Sequence, residues 1–149
     1  MENINKQIDV ITKGCVDVIS VEDIERKLTH SIKNNIPLRI KYGADPSAAD
    51  IHLGHTVPLL KLRDIQELGH EIVFLIGDFT AMVGDPTGRS ETRQMLTPAQ
   101  VRENALTYQD QVFKILDKDK TTVVYNSTWL NQLSPRDFLL LTSKYTVAR

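Results

Sequence analysis

Between Glu71 and Ile76 the chain reads Glu-Ile-Val-Phe-Leu-Ile, five apolar residues in succession behind one acid. A strand with one face in water alternates apolar and polar residues, so a run without alternation predicts a strand buried on both faces. Such a strand sits inside a sheet and needs helices to cover it. Two further short strands are predicted at Pro37 to Tyr42 and, from its β-branched residues, at Thr121 to Tyr125. Helical stretches separate them. A first helix spans Val21 to Asn34, with Ser20 as its N-cap and Asp23 three residues on. A second begins near His52 to His55 and runs to Leu68, with Gly69 as its stop. Along it Val57, Leu59, Leu60, Leu62, Ile65 and Leu68 recur close to helical spacing. Thr97-Pro98-Ala99-Gln100 opens a third, reaching about Leu116, and Ser134-Pro135-Arg136-Asp137 caps a fourth that still reads as helix at Arg149. Strands alternating with helices imply parallel crossovers, hence an α/β fold with a doubly wound parallel sheet.

Composition narrows the classes without selecting one. With 149 residues, 41% hydrophobic and 25% charged, the chain is one domain's worth and can bury a real core. Eighteen Lys and Arg against 19 Asp and Glu give a net charge of -1, so no sequence-wide basic field points to nucleic acid. Cys15 stands alone and cannot form an internal disulfide, in keeping with a reducing compartment. The N-terminus lacks the apolar core of a signal peptide, and no apolar run approaches the ~20 residues of a membrane span. The expectation is a cytoplasmic protein with no membrane partner. No repeat, low-complexity tract or linker divides the chain.

Ligands on such sheets bind beyond the carboxyl ends of the strands. Two loops are expected there, Gly43 to His55 and Gly77 to Leu96, both rich in glycine, aspartate and histidine. In the first, His52 and His55 stand three apart at a helix start and share one face. Ring N–H donors there would join free backbone N–H groups and the positive end of the helix dipole, a combination suited to a polyphosphate. Gly54 between them would let a flat or charged ligand approach the backbone. The same residues could simply cap the helix. Zinc fits less well, because no cysteine or third histidine is near, and no metal site is expected. In the second loop Gly84 and Gly88 have three residues between them, not four, and are followed by Arg89, which fails the Walker pattern. That segment is an ordinary turn or a binding loop in which Asp85 pairs with a cation such as an ammonium. Trp129, Phe138, Leu139, Leu140 and Leu141 read as core or interface, and Lys118-Asp119-Lys120 as a solvated turn.

Gly43-Ala44-Asp45-Pro46-Ser47 leading to His52-Leu53-Gly54-His55 resembles the first signature of the class I aminoacyl-tRNA synthetases. The Asp-Pro opening and the later Gly84-Asp85-Pro86-Thr87-Gly88 look like the tyrosyl branch; tryptophanyl relatives typically end the signature in Asn and lack that opening. The likeness runs from about Leu38 to Arg149 and includes Gly77-Asp78-Phe79-Thr80 and Ser143 to Arg149. It implies a Rossmann-like sheet of the class I synthetase type, incomplete at its C-terminal end. It also implies activation of tyrosine by ATP, with Mg2+ accompanying the nucleotide, and transfer to tRNA(Tyr). By resemblance His52 and His55 would contact the ATP phosphates, Gly54 would lie against the adenosine and Ser47 would donate to the phosphate region. Asp45 and Asp85 would hold the tyrosine and its adenylate, Asp85 near the ammonium, with Thr80 lining the same pocket.

Two departures qualify the likeness. Where some members carry a tyrosine that reads the substrate's phenol, this chain has Lys41, a candidate donor in its place, and Tyr42 would face the other side of the strand. The Lys-Met-Ser-Lys-Ser signature is absent, so the chain is expected to be the N-terminal part of a longer synthetase. Residues 1–36 would be an N-terminal helical segment and 37–149 the first part of the nucleotide-binding domain, with a homodimer contact near the end. A nucleotidylyltransferase shares the His-x-Gly-His pattern but not the Asp45-Pro46 or Gly84-Asp85-Pro86 segments. A non-catalytic module derived from a synthetase would be expected to lose the histidines that are intact here.

Overall fold

The computed structural model describes residues 3–83 and 96–144. Three parallel strands form one sheet in the order β1 (Arg39–Ala44), β2 (Glu71–Ile76), β3 (Thr121–Tyr125). Each crossover carries a helix, α3 (Leu53–Glu67) between β1 and β2 and α5 (Pro98–Val112) between β2 and β3. Both helices cover the same face of the sheet. Leu59 and Leu62 of α3, Ala105 and Val112 of α5, and Leu116 beyond it close over Ile72, Phe74 and Ile76 of β2. The paired register brings Ile40, Tyr42 and Ala44 of β1, and Val123 and Tyr125 of β3, onto that face. This is one side of a Rossmann-like parallel sheet.

The opposite face corrects the reading of β2 as buried on both sides. Val73 and Leu75 are only half-buried there, beside exposed Lys41, Gly43 and Thr122, because no described helix lies over them. The unbroken apolar run reports what the strand is suited to, not what covers it among the described residues.

The helix ends follow their caps. Ser20 accepts from the Asp23 N–H and starts α2 (Val21–Asn34). Thr97 and Gln100 form a reciprocal capping box at α5, and Ser134 and Asp137 form another at α7 (Pro135–Thr142). Gly69, at φ +96°, takes the left-handed position that ends α3. The α5 helix stops at Val112 rather than Leu116, with turns bringing Leu116 into the core. The α7 helix stops at Thr142, and residues 145–149 lie outside the described part.

Three short helices escape the pattern. The first, α1 (Ile4–Thr12), precedes the expected first helix and buries a glutamine, Gln7, so apolar spacing undervalues it. It is held by polar contacts. Lys61 of α3 donates to the carbonyls of Val10 (2.7 Å), Ile11 (3.1 Å) and Lys13, and so caps the negative end of α1. His70, fully buried, bonds Gln7 through Nε2 (2.9 Å) and accepts the Leu38 N–H at Nδ1 (3.2 Å). The second, α4 (Asp78–Val83), replaces the start of the expected Gly77 to Leu96 loop, and the third is α6 (Ser127–Leu130). Strand β1 also lies two residues later than Pro37 to Tyr42. Gly43 and Ala44 carry the ladder, and the Gly77 N–H donates to the Ala44 carbonyl at 2.9 Å. Trp129, Phe138, Leu139, Leu140 and Leu141 are exposed, which removes the core reading and leaves the interface one. No helix among the described residues is long and apolar enough to cross a membrane.

Candidate active site

The N-terminus of α3 is capped by its own two histidines. His52, in extended backbone, accepts the Gly54 N–H at Nδ1 (3.1 Å), and His55 accepts the His52 N–H at Nδ1 (3.2 Å). A neutral imidazole has one acceptor and one donor nitrogen. With both Nδ1 atoms accepting, each ring carries its proton on Nε2, the nitrogen turned away from the helix backbone. Capping and ligand binding, alternatives from sequence, are therefore compatible in the same rings, since capping uses only one nitrogen of each. Two backbone N–H groups that look free in sequence are already taken, and Nε2–H remains to be offered. The rings lie 4.0 Å apart by centroid, and half-buried His55 rests edge-on to the buried Tyr108 of α5 at 6.3 Å. Gly54 has a local reason as well: a Cβ there would come within 2.9 Å of the His52 ring.

A second cluster stands where β1, β2 and β3 end. Thr80 of α4 donates to Asp45 Oδ1 at 2.8 Å, which joins the two predicted loops directly. Gly77 makes this approach possible, since a Cβ on it would lie 1.8 Å from Asp45 Oδ1 and 2.5 Å from Thr80 Oγ1. From the end of β3, the buried Asn126 accepts the Phe79 N–H (2.9 Å) and donates to Thr80 Oγ1 (3.0 Å). Ser127 gives both its N–H (3.0 Å) and its hydroxyl (2.6 Å) to Asp78. Asn126 and Ser127 are not evident from sequence. Their signal is a pair of small polar residues just after a β-branched run, where a parallel strand delivers its ligand-side residues.

Between these clusters the chain from Asp45 to Ile51 is fastened to α5. Asn104 donates to the Pro46 carbonyl (3.0 Å), Thr107 to the Ala49 carbonyl, and Gln111 accepts the Ile51 N–H (3.1 Å) while donating to Asp50 Oδ1 (3.2 Å). Residues 104, 107 and 111 share a helix face by their spacing of three and four, a pattern present in the sequence. Half-buried Ser47 sits in this segment, its N–H bonded to the Asp45 carbonyl at 2.8 Å.

Lys41 and Tyr42 take opposite faces of β1, as period two requires. Tyr42 stacks on Phe74 in the core, and burial, followed by the neighbouring Tyr108, raises its phenol above the ordinary tyrosine range. Lys41 lies on the open face, and its Nζ and Cε would come within 3.0 and 3.2 Å of a Cβ on Gly43. Its ammonium therefore reaches along the strand toward the Asp45 end. Asp85, with the segment Gly84 to Gly88, lies outside the described residues.

Residues 33–149 match the family described as tRNA synthetases class I (W and Y). The sequence is 56% identical over 149 residues to a tyrosine–tRNA ligase of Desulfotalea psychrophila, covering all of this chain and 37% of that protein. The chain thus spans little more than a third of the length of that relative. The fold is similar to a crystal structure of tyrosyl-tRNA synthetase complexed with L-tyrosine from Archaeoglobus fulgidus, with a TM-score of 0.73 and 26% identity over 97% of this chain and 41% of that one. A tryptophanyl-tRNA synthetase from Plasmodium falciparum shares the fold at 18% identity, with a TM-score of 0.64 over 98% of this chain and 40% of that chain.

Proposed function

The chain belongs to the class I tRNA synthetases of the tryptophan and tyrosine family, and from that premise we propose that it is part of a tyrosine–tRNA ligase. In the first reaction a tyrosine carboxylate oxygen bonds to the α-phosphorus of ATP, and the bond from that phosphorus to the bridging oxygen breaks, releasing pyrophosphate. No proton needs to move, so catalysis comes from alignment and from donors aimed at the charge developing on the phosphates. The observation that carries the reading is the pair of rings at α3, each pinned through Nδ1 with Nε2–H left to donate. His52 and His55 contact the phosphates, Gly54 lies beside the adenosine and Ser47 donates to the phosphate region. Mg2+ enters with ATP as part of the substrate.

Asp45 and Asp85 hold tyrosine and the adenylate, Thr80 lines their pocket, and Lys41 faces the phenol hydroxyl. Residues 37–149 form the first part of the nucleotide-binding domain, preceded by a helical segment at 1–36. The second reaction delivers the tyrosyl group to tRNA(Tyr) in the whole protein, a cytoplasmic homodimer. Exposed Trp129 on α6, Phe138 and Leu139 to Leu141 on α7, and Leu133 between the two helices support that association.

Exchange of labelled pyrophosphate into ATP tests the proposal. Tyrosine should drive exchange by the longer protein carrying this sequence, and phenylalanine and tryptophan should not. Exchange driven equally by phenylalanine or tryptophan, or none with any of them, would overturn it.

A further inference from the structure

We propose that Asn126 is a positioning residue for the Asp45 carboxylate, acting through the direction in which the Thr80 hydroxyl points. The Phe79 N–H can only donate, so the Asn126 atom facing it at 2.9 Å is the carbonyl oxygen. That fixes the amide, and its NH2 faces Thr80 Oγ1 at 3.0 Å. A hydroxyl that receives a bond has one proton to give. Two acceptors are in reach, Asp45 Oδ1 at 2.8 Å and the Gly77 carbonyl at 3.2 Å, and the shorter, charge-assisted bond to the carboxylate is favoured. Asn126 is buried at 6% exposure, and its backbone N–H is tied to the Ile76 carbonyl at 3.1 Å. The origin of the chain is therefore rigid, and each later bond inherits its direction.

This inference rests on the reading that Asp45 holds the tyrosine or its adenylate, and it changes the part played by Thr80. The single hydroxyl proton of Thr80 is spent on Asp45, so its role is to hold that carboxylate in place rather than to donate to a ligand. The sheet makes this possible, because Asn126, Thr80 and Asp45 follow the carboxyl ends of three adjacent strands.

Asn126→Asp separates this relay from a structural role. The new carboxylate can still accept the Phe79 N–H, but it presents an acceptor to Thr80, whose hydroxyl then turns away from Asp45. In the longer enzyme, KM for tyrosine in pyrophosphate exchange should rise about tenfold, the size expected for one charge-assisted hydrogen bond, with KM for ATP and the melting temperature little changed. Thr80→Val should show a similar rise, and the double variant should be no worse than either single one, because both cut the same chain. Multiplying losses, or an unaltered KM for tyrosine, would overturn the proposal. A ligand-free crystal structure of Asn126→Asp judges the relay whatever the substrate proves to be. Thr80 Oγ1 should leave hydrogen-bond reach of Asp45, and its persistence there would sink the idea.

Discussion

The two ends of the sheet use the same side chain in opposite ways. At the amino end His70 is fully buried and both its ring nitrogens are bonded, one to the Leu38 N–H and one to Gln7. Beyond the carboxyl end His52 and His55 are partly or fully exposed, and each has its Nδ1 pinned by the backbone while Nε2 is left over. A histidine with both nitrogens satisfied has nothing left to offer; one with a single nitrogen satisfied is held in orientation with a donor to spare. The difference lies in the partner count, which the residue name does not reveal.

The largest effect that could break this contrast is kinetic. His52→Ala or His55→Ala should slow adenylate formation by about 10²–10³-fold, the range for removing one preorganised donor, with far less change in tyrosine affinity. Single-turnover measurement separates the two, and equal loss in both would reduce the histidines to caps. His52→Asp sharpens the point, since it keeps an acceptor for the helix cap while removing the donor. Its rate should fall as far, with the melting temperature held.

Next comes stability at the other end. His70→Leu removes the partner of Leu38 and of Gln7 and should cost about 2–3 kcal/mol in urea unfolding, leaving the exchange kinetics of the folded enzyme intact. Acid tests the same site more gently. Burial lowers the folded-state pKa of His70 below its ordinary 6.5, so the unfolded chain binds the proton more readily. The stabilisation from the neutral ring is complete above about pH 6.5 and falls away as pH drops toward the folded value. His70→Gln should flatten that part of the stability curve, and an unchanged slope would place the acid sensitivity elsewhere. The smallest effect belongs to Lys61→Met. It should loosen α1 by about 1 kcal/mol, read as faster amide exchange in Ile4–Thr12 with the sheet unaffected.

Much of this arrangement is legible in the sequence. Ser20, Thr97 and Ser134 announce helix starts through local capping chemistry, and β2 and β3 begin and end at the predicted residues. The histidine pair and Asp45 are recognisable because their spacing is local. What escapes is what depends on distant partners. α1 is secured by Lys61, 51 residues from Val10, and Asn126 meets Thr80 across 46 residues, so no window on the chain contains either relation. The open face of β2 escapes for another reason: hydrophobicity records a tendency to be covered, and the cover itself must come from elsewhere in space.

The strand order has a consequence for how such a chain could be built. Each strand pairs with the one made just before it, β2 on β1 and β3 on β2, and each intervening helix closes over the pair it connects. Nothing in this part of the sheet waits for a strand still to be synthesised between two existing neighbours. The sheet can therefore grow in the direction of translation, one βα unit at a time, and each addition pairs with a strand that is already made. On a ribosome, the order of synthesis would be the order of assembly, with the carboxyl-end site gaining Asp45, then Thr80, then Asn126 as the strands arrive.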